Sequence, residues 1–208
     1  MTKLPDNIVI VGAGGHAKVV IATVRAAGGN IVAAYDDDES RWGQQILGVT
    51  IKGPVSASEI GTGPAIIAIG SNRARHSVAG HLNASWVTAC HPSATVHPSA
   101  SLGPGTVVFA GCVIQPEATI GAHAILNTAS SVDHDCIVGD FVHLGPGVRL
   151  CGGVTIDEGV LLGVGAKVAP NVELGPWSTV GAGAVCVVDV PSDTTVVGVP
   201  ARSVEADA

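Results

Sequence analysis

Large side chains are scarce in this chain. Two Phe, three Trp and one Tyr make up only 3% of the 208 residues, and there is a single Met, although hydrophobic residues reach 47%. That apolar content excludes intrinsic disorder. An ordinary globular core contains more bulky side chains, so we expect a core that is thinner than usual. The 28 glycines have no strict three-residue period, which excludes a collagen triple helix.

Basic residues are also few. Lys and Arg number 10 against 17 Asp and Glu, and the formal net charge of −7 argues against a nucleic-acid partner. No apolar run approaches the ~20 residues that span a bilayer, and the sequence does not open with a signal peptide. We therefore expect a cytoplasmic protein without a membrane partner. The five cysteines are odd in number and lack a CxxC pair, which favours reduced thiols over disulfides or a zinc site.

A period of six residues dominates the second half of the chain. Counting in sixes from Val96 to Val180 meets an aliphatic residue at every step, and a small residue or Val lies two positions before each. This period favours short flat strands separated by turns, each strand with one large and one small inward side chain. Three hexads complete one coil of a triangular prism, and residues 96–185 make five coils, roughly 24 Å tall.

Glycine directly follows the aliphatic residue in seven of these hexads. We expect tight turns with a positive φ angle at these positions, because glycine alone adopts that conformation without steric cost. The glycines are Gly103, Gly121, Gly139, Gly145, Gly163, Gly175 and Gly181.

The first ninety residues lack the six-residue period. Strands are predicted at 8–11, 31–35 and 65–69, and helices at 18–27 and 73–82. Strands that alternate with helices are typical of a small parallel α/β sheet.

A glycine-rich turn separates the first strand from the first helix. Gly12 and Gly14 stand where a nucleotide would meet a helix N-terminus, and Asp36 lies 24 positions after Gly12, about where dinucleotide folds place a ribose-binding acid. The domain is too short for the two halves that bind NAD, so we expect a mononucleotide such as a nucleotide-sugar. The predicted acceptor-binding residues are Gly12, Gly14, Gly15, His16, Asp36, Asp37, Ser71, Asn72 and Arg73.

Together the two halves resemble the bacterial sugar acetyltransferases of the PglD/NeuD type. The resemblance rests on the glycine turn that ends in His16, on the hexapeptide coils and on the closing segment 197–202, Val-Gly-Val-Pro-Ala-Arg. It implies a Rossmann-like α/β domain in residues 1–90 and a left-handed parallel β-helix in residues 91–208. It also implies that the N-terminal domain holds a nucleotide-activated amino sugar.

The same resemblance implies a homotrimer with acetyl-CoA in the cleft between neighbouring β-helices. Solenoids need their faces covered, and apolar residues on the outer faces of the prism fit this assembly. Examples are Val107, Val113, Ile125 and Leu161.

A histidine–acid pair is the candidate catalytic base. Val132 and Cys136 keep the inward positions of their hexad, so His134 and Asp135 fall on an outward turn. A neutral imidazole accepts a proton at neutral pH, and an adjacent carboxylate orients it and raises its basicity. In the PglD-like family the base is a His directly followed by an acid, more commonly Glu. The resemblance also implies that the Gly152 N–H faces the thioester oxygen.

The donor site is assigned by resemblance and by glycine content. His143 matches a second family histidine near the acetyl group, glycines on later coils allow close approach of a ligand, and Arg202 suits a phosphate. The predicted acetyl-CoA-binding residues are His143, Gly152, Gly163, Gly165, Lys167, Gly181, Gly183, Pro200 and Arg202.

The expected reaction is direct acetyl transfer to the amine of a UDP- or GDP-linked 4-amino-4,6-dideoxy sugar, as in bacterial surface-glycan synthesis. His134 would remove the proton, Asp135 would steady the imidazolium and Gly152 would stabilise the oxyanion. No enzyme nucleophile and no metal is required. O-acetylation of a sialic acid or another sugar would use the same histidine and donor and stays open.

Two other classes fit the sequence less well. A γ-class carbonic anhydrase would bind zinc through His123, His134 and His143, but their spacings of 11 and 9 do not place them at one height on one face. A non-catalytic solenoid would present an outward array of repeated Thr or Asn, which the chain lacks.

Overall fold

The computed structural model describes residues 3–204 and shows an α/β domain followed by a left-handed parallel β-helix. This is the architecture expected from the sequence. Residues 1–2 and 205–208, which the sequence assigns to the outer ends of the two domains, lie outside the described residues.

One six-stranded sheet forms the centre of the α/β domain. Its elements are β1 (Ile8–Val11), α1 (Gly15–Ala26), β2 (Ile31–Tyr35), a 3-10 helix (Glu39–Arg41), β3 (Gln45–Ile46), β4 (Val49–Lys52), α2 (Ala57–Ile60), β5 (Pro64–Ile67), α3 (Asn72–His81) and β6 (Ser85–Trp86). The strand order is β3-β4-β2-β1-β5-β6. Every neighbouring pair is parallel except β3 with β4. The predicted parallel arrangement is confirmed for β1, β2 and β5, and the antiparallel edge strand β3 makes the sheet mixed.

The first helix begins earlier than the sequence analysis predicted. It starts at Gly15 rather than at Lys18, because Gly14 adopts the extended backbone of an N-cap and the next two residues already turn helically. His16 therefore lies in the first helical turn and not in a loop. β2 has the predicted bounds, and the two other predicted elements differ by one or two residues, with β5 ending at Ile67 and α3 beginning at Asn72. The 3-10 helix, β3, β4, α2 and β6 were not predicted.

The β-helix is a triangular prism built from parallel strands of two residues each. Each strand pairs with the strand one coil, or 18 residues, further along the chain, as Val107 does with Ile125. Face 1 contains β7 (Ala89–Cys90), β10 (Val107–Val108), β13 (Ile125–Leu126), β16 (His143–Leu144), β19 (Leu161–Leu162) and β22 (Thr179–Val180). Two further strands, β24 (Thr195–Val197) and the antiparallel β25 (Arg202–Ser203), extend face 1 at its C-terminal end.

The other two faces follow the same repeat. Face 2 contains β8 (Thr95–Val96), β11 (Val113–Ile114), β14 (Ser131–Val132), β17 (Arg149–Leu150), β20 (Lys167–Val168) and β23 (Val185–Cys186). Face 3 contains β9 (Ser101–Leu102), β12 (Thr119–Ile120), β15 (Ile137–Val138), β18 (Thr155–Ile156) and β21 (Glu173–Leu174).

The interior of the prism is narrow and apolar, as expected from the lack of aromatics. Each face contributes stacked aliphatic side chains such as Val132 and Leu150, together with small residues such as Cys136. Cys112 and Cys136 are buried, and all five cysteines are free thiols. These cysteines act as small apolar fillers.

The expected role of the hexad glycines was wrong. The positive φ angle occurs three residues after the inward aliphatic, at Gly105 and also at His123 and Asp135, and not at the glycine that directly follows the aliphatic. Those glycines are required for another reason. A Cβ on Gly103 would lie 2.5 Å from the backbone N of Ala122 in the next coil, so a side chain would force the coils apart.

The α/β domain packs against face 1 of the prism. Val107, Ile125 and Phe109 belong to the same buried cluster as Ala17 and Val20 of α1. Val107 and Ile125 were expected to cover an interface between subunits, but they are only 1% exposed within a single chain. The N-terminal domain of the same chain therefore covers Val107 and Ile125.

Candidate active site

His134 and Asp135 form a hydrogen-bonded pair on the corner between faces 2 and 3. His134 Nδ1 donates to Asp135 Oδ2 at 2.7 Å, and both side chains are largely exposed. Asp135 has a φ of 58°, a left-handed conformation that Asp tolerates better than most residues. The shorter Asp side chain thus reaches the imidazole. This hydrogen bond is the largest cause of a raised His134 pKa, and it leaves Nε2 as the basic nitrogen.

Gly152 lies directly beneath the His134 ring, one coil further along the chain. A Cβ on Gly152 would stand 2.5 Å from Cε1 and 2.7 Å from Nε2 of His134. The His134 carbonyl accepts the N–H of Gly153 at 3.0 Å, which ties the two turns together. Only glycine at position 152 leaves room for this imidazole position. The structure therefore brings together the three residues assigned to catalysis.

His143 is separated from this pair and lies half-buried against the α/β domain. Its Nδ1 lies 3.2 Å from the Gly70 carbonyl and its Nε2 lies 3.3 Å from Asn127 Nδ2. The His16 ring is 6.0 Å away, and His16 Nε2 is buried without a partner among the described residues. Burial, followed by the charge of Arg75, lowers the pKa values of His16 and His143 to about 4. Both rings are therefore neutral at physiological pH.

Arg75 of α3 is a buried residue that the sequence analysis missed. It is 1% exposed, and it donates to the carbonyls of His123 at 2.8 Å and Phe141 at 2.7 Å on two successive coils. A signal was present in the sequence, because Arg75 stands three and four residues before Val78 and Ala79, on one helical face. Burial lowers the pKa of Arg75 to about 10, so the side chain stays charged.

The glycine turn lines a cleft of about 360 Å³. Predicted residues that line it are Gly12, Gly14, Gly15, His16, Asp36 and Asp37. Gly12 has a φ of 96°, and a Cβ there would lie 2.7 Å from the Ile69 side chain. Arg41 also lines the cleft and donates to the Ala13 carbonyl at 2.8 Å, which places a cation beside the glycine turn. Arg41 was not among the residues predicted from the sequence.

The two acidic residues of this cleft also support its walls. Asp36 accepts the N–H groups of Ala13 at 2.6 Å and Asp38 at 3.0 Å, so it closes the glycine turn. Asp37 accepts the N–H of Val55 at 2.8 Å through Oδ1. Among the described residues Asp37 Oδ2 has no hydrogen-bond partner, so this oxygen is available to a ligand.

The three predicted residues at the start of α3 have different environments. Ser71 is the N-cap of the helix. Asn72 is buried and donates to the carbonyls of Gly159 and Val160 at 3.0 and 3.1 Å, which attaches the helix to the prism. Arg73 is exposed, lies 4.6 Å from the Trp177 ring centroid and pairs with an acid on the β-helix. They line a second cleft, which meets the first one at Gly70.

The predicted donor-binding glycines on the later coils fall into two groups. Gly165 and Gly183 have positive φ angles and open space where a side chain would stand, so a ligand can approach their backbone. Gly163 and Gly181 instead accommodate the next turn of the chain: a Cβ there would meet Ala182 N at 2.6 Å and the Val197 side chain at 2.7 Å. Pro200 and Arg202 lie at the C-terminal end of the prism, where Arg202 is exposed.

Two basic residues lie in register on face 2. Lys167 of β20 pairs with Arg149 of β17, so both side chains point outward one coil apart. The same face contains β14, which leads into the His134 corner. Arg149 was not among the predicted site residues. The sequence alone does not show that Arg149 is a neighbour of Lys167. The strand register of face 2 shows it.

The three histidines considered for zinc lie apart from one another. His123 and His134 occupy different corners of the prism, and His143 is on face 1. Among residues 3–204, no group of three or more His, Cys, Asp or Glu side chains could hold a metal ion. Within the same residues, no helix has both the length and the apolar character needed to cross a membrane.

Comparison with known proteins places these features in one family. The family model of the PglD N-terminal domain matches residues 7–82. A His-to-Asn mutant of perosamine N-acetyltransferase from Caulobacter crescentus, in complex with CoA and GDP-perosamine, is 42% identical, with a TM-score of 0.89 and coverage of 99% of this chain and 100% of its own. The acetyltransferase domain of PglB from Neisseria gonorrhoeae FA1090, in complex with acetyl coenzyme A, is 37% identical, covers 95% and 98%, and has a TM-score of 0.86.

A curated relative matches part of the chain. UDP-N-acetylbacillosamine N-acetyltransferase from Bacillus subtilis (strain 168) is 37% identical over 122 residues, or 50% of this chain and 51% of that protein. The match therefore spans about half the length of this relative. The agreement over the full length with the solved structures is decisive. The chain belongs to the PglD-type family of left-handed β-helix sugar N-acetyltransferases.

Proposed function

We propose that this protein transfers the acetyl group of acetyl-CoA to the amine of a nucleotide-linked 4-amino-4,6-dideoxy sugar. The observation that carries the proposal is the exposed His134–Asp135 pair above Gly152, in a chain 42% identical to a protein that binds CoA and GDP-perosamine. That relationship favours a GDP-linked acceptor over a UDP-linked one. The likeness to a UDP-sugar enzyme is restricted to half the chain.

The residues of the pair divide the proton transfer between them. His134 Nδ1 is occupied by Asp135, so Nε2 is the nitrogen that accepts a proton from the attacking amine. Asp135 then stabilises the imidazolium by its charge and hydrogen bond. When the C–N bond has formed and the C–S bond breaks, the departing CoA thiolate takes the proton, which leaves the amide and free CoA. The Gly152 N–H makes no backbone hydrogen bond among residues 3–204, and we assign it to the thioester oxygen as negative charge develops there.

The acceptor and donor would approach from different elements. The nucleotide lies at the glycine turn, with its phosphates near the N-terminus of α1 and Arg41. The donor phosphates lie near Lys167, Arg149 and Arg202. Within one chain His143 lies on face 1, away from the corner that holds His134, so the His143 of a neighbouring subunit would contact the acetyl group. In this proposal the protein is a cytoplasmic homotrimer, and the exposed Ile137 and Leu161 fit contacts between its subunits.

A direct assay tests the proposal. Purified protein is incubated with acetyl-CoA and either GDP- or UDP-linked 4-amino-4,6-dideoxy sugar, and the product is analysed by mass spectrometry before and after hydroxylamine treatment. An acetyl group that survives hydroxylamine is an amide and supports N-transfer. An acetyl group that is removed is an ester, which would favour the O-acetyltransferase alternative. Absence of any acetylated product would contradict the proposal.

A further inference from the structure

Arg75 is a buried cation that is surrounded by neutral oxygen atoms. Among the described residues it has no carboxylate partner, and its N–H groups reach only backbone carbonyls and the Asn72 side chain. Burying a charge without an opposite charge is unfavourable. Apolar residues of similar size would join two domains at lower cost. The guanidinium fork must therefore make contacts that an apolar side chain could not.

The fork connects the two domains at the point where their clefts meet. Nη1 donates to the carbonyls of Ile69 at 3.0 Å and Gly70 at 3.3 Å, in the loop after β5. Nε and Nη2 donate to the carbonyls of His123 and Phe141 on the prism. One side chain thus fixes the Gly70 loop relative to two coils, and Gly70 lines both clefts.

The Gly70 carbonyl is also the partner of His143. A carbonyl only accepts, so the contact at 3.2 Å requires a proton on His143 Nδ1. The other end of the ring agrees: Asn127 Oδ1 accepts the N–H of Thr128, which turns Asn127 Nδ2 towards His143 Nε2 as a donor. Two independent contacts thus select the neutral Nδ1–H tautomer.

We propose that Arg75 is a positioning residue that, by holding the Gly70 carbonyl, fixes the ring orientation and the Nδ1–H tautomer of His143. The consequence for acetyl transfer rests on the proposed function, in which His143 contacts the acetyl group. The surroundings of the ring also keep it neutral. Burial and then the charge of Arg75 of α3 lower the pKa of His143, and the hydrogen bond to the Gly70 carbonyl offsets only part of this shift. His16 of α1 also faces the ring and is itself neutral at pH 7.

The test uses protein labelled with ¹⁵N-histidine, with the His143 signals assigned from the spectrum of His143→Gln. In the wild type at pH 7 we expect a neutral ring protonated only at Nδ1. In Arg75→Gln the signals should move towards a mixture of tautomers, and kcat should fall about 10- to 100-fold with much smaller changes in either KM. Arg75→Lys keeps the charge but cannot span both sets of carbonyls, so its kcat should also fall.

His76→Ala is the matched control. His76 belongs to the same helix and packs against Phe141 and Trp177 on the same corner of the prism, but it does not contact Gly70. Its loss should lower Tm and leave the His143 signals and kcat unchanged.

Unchanged His143 signals or unchanged kcat in folded Arg75→Gln would overturn the proposal. So would failure of both Arg75 variants to fold while His76→Ala folds, because Arg75 would then serve the fold alone. If wild-type protein transfers no acetyl group, the proposed function fails, and the NMR comparison still decides whether Arg75 holds His143.

Discussion

The His134 imidazole rests on the backbone of Gly152, a residue 18 positions away that occupies the equivalent turn of the next coil. A side chain at position 152 would overlap Cε1 and Nε2, so the glycine determines where the basic nitrogen can stand. The same glycine supplies the N–H that we assign to the oxyanion. Position 152 therefore links the proposed base and the proposed oxyanion donor.

Gly152→Ala should displace the His134 ring while leaving the coil intact, because the φ angle at position 152 is not in the left-handed region. Displacement of a catalytic group by about 1 Å can cost on the order of 100-fold, and we expect a loss of kcat of that size. Gly63→Ala, where nothing lies within 4 Å of the new methyl group, is the control and should keep full activity. Full activity in Gly152→Ala would contradict the proposed geometry.

His134→Asn should lower kcat by about 10²–10⁴, the usual contribution of a positioned general base, while both ligands still bind. His143→Asn is the matched variant and should lose less, because His143 is already hydrogen-bonded at both nitrogens. If His143→Asn abolished activity and His134→Asn did not, the two roles would have to be exchanged.

The pH dependence follows from the raised pKa of His134. The base must be neutral to act, so kcat/KM should increase as pH rises through this pKa. Asp135→Asn removes the largest cause of the raised pKa. Its acidic limb should therefore move to lower pH, and kcat should fall less than in His134→Asn. A limb that stays in place in Asp135→Asn would show that another group titrates.

The period of six residues was sufficient to predict the prism because each inward position is decided locally, by one side chain in one hexad. The face covered by the α/β domain was not predictable in this way. Outward residues such as Val107 and Ile125 look alike whether a domain or a second subunit covers them. Their environment depends on contacts between distant parts of the chain.

The outward position of the proposed catalytic pair could be predicted from the sequence, since a His followed by an acid between two inward residues of an unbroken hexad must lie on an outward turn. Arg75 could not be read with the same ease. Its neighbours Arg73 and His76 make α3 look like a solvated helix, and the helical phase that buries Arg75 matters only when the prism is present. Hydrogen bonds between domains, such as those of Arg75, do not repeat at a regular spacing, so no periodic pattern in the sequence predicts them.

Buried neutral histidines should make the protein sensitive to acid. Burial lowers the pKa of His143 to about 4 from its usual 6.5, so the unfolded chain binds a proton first as pH falls. Stability present above pH 6.5 should be lost progressively down to about pH 4, by up to about 3 kcal/mol for this residue. Urea unfolding at pH 7.5 and 4.5 measures the loss, which should be smaller in His143→Gln. His97→Gln, at an exposed histidine, is the control and should match the wild type.

Lys167→Ala should weaken donor binding without affecting the acceptor. Lys167 and Arg149 present two charges in register on face 2, and we expect KM for acetyl-CoA to rise about 3- to 10-fold, less at high salt because exposed charges are screened. Lys52→Ala, at an exposed residue of β4, is the matched loss of one charge and should leave this KM unchanged. An equal rise in the KM for the nucleotide-sugar would show that Lys167 does not act on the donor alone, which would contradict the prediction.

Replacement of an exposed apolar residue on the prism should separate the subunits. Ile137 of β15 is 54% exposed in a single chain, and a charge at this position would be desolvated inside a subunit contact. Light scattering at micromolar concentration should give three times the mass of one chain for the wild type and a lower mass for Ile137→Asp. Acetyl transfer should fall with the mass, since the donor is expected to lie between neighbouring β-helices. Val32→Asp changes a residue 47% exposed on β2 of the α/β domain and should remain a trimer. A monomeric wild type with full activity would show that one chain contains the whole site.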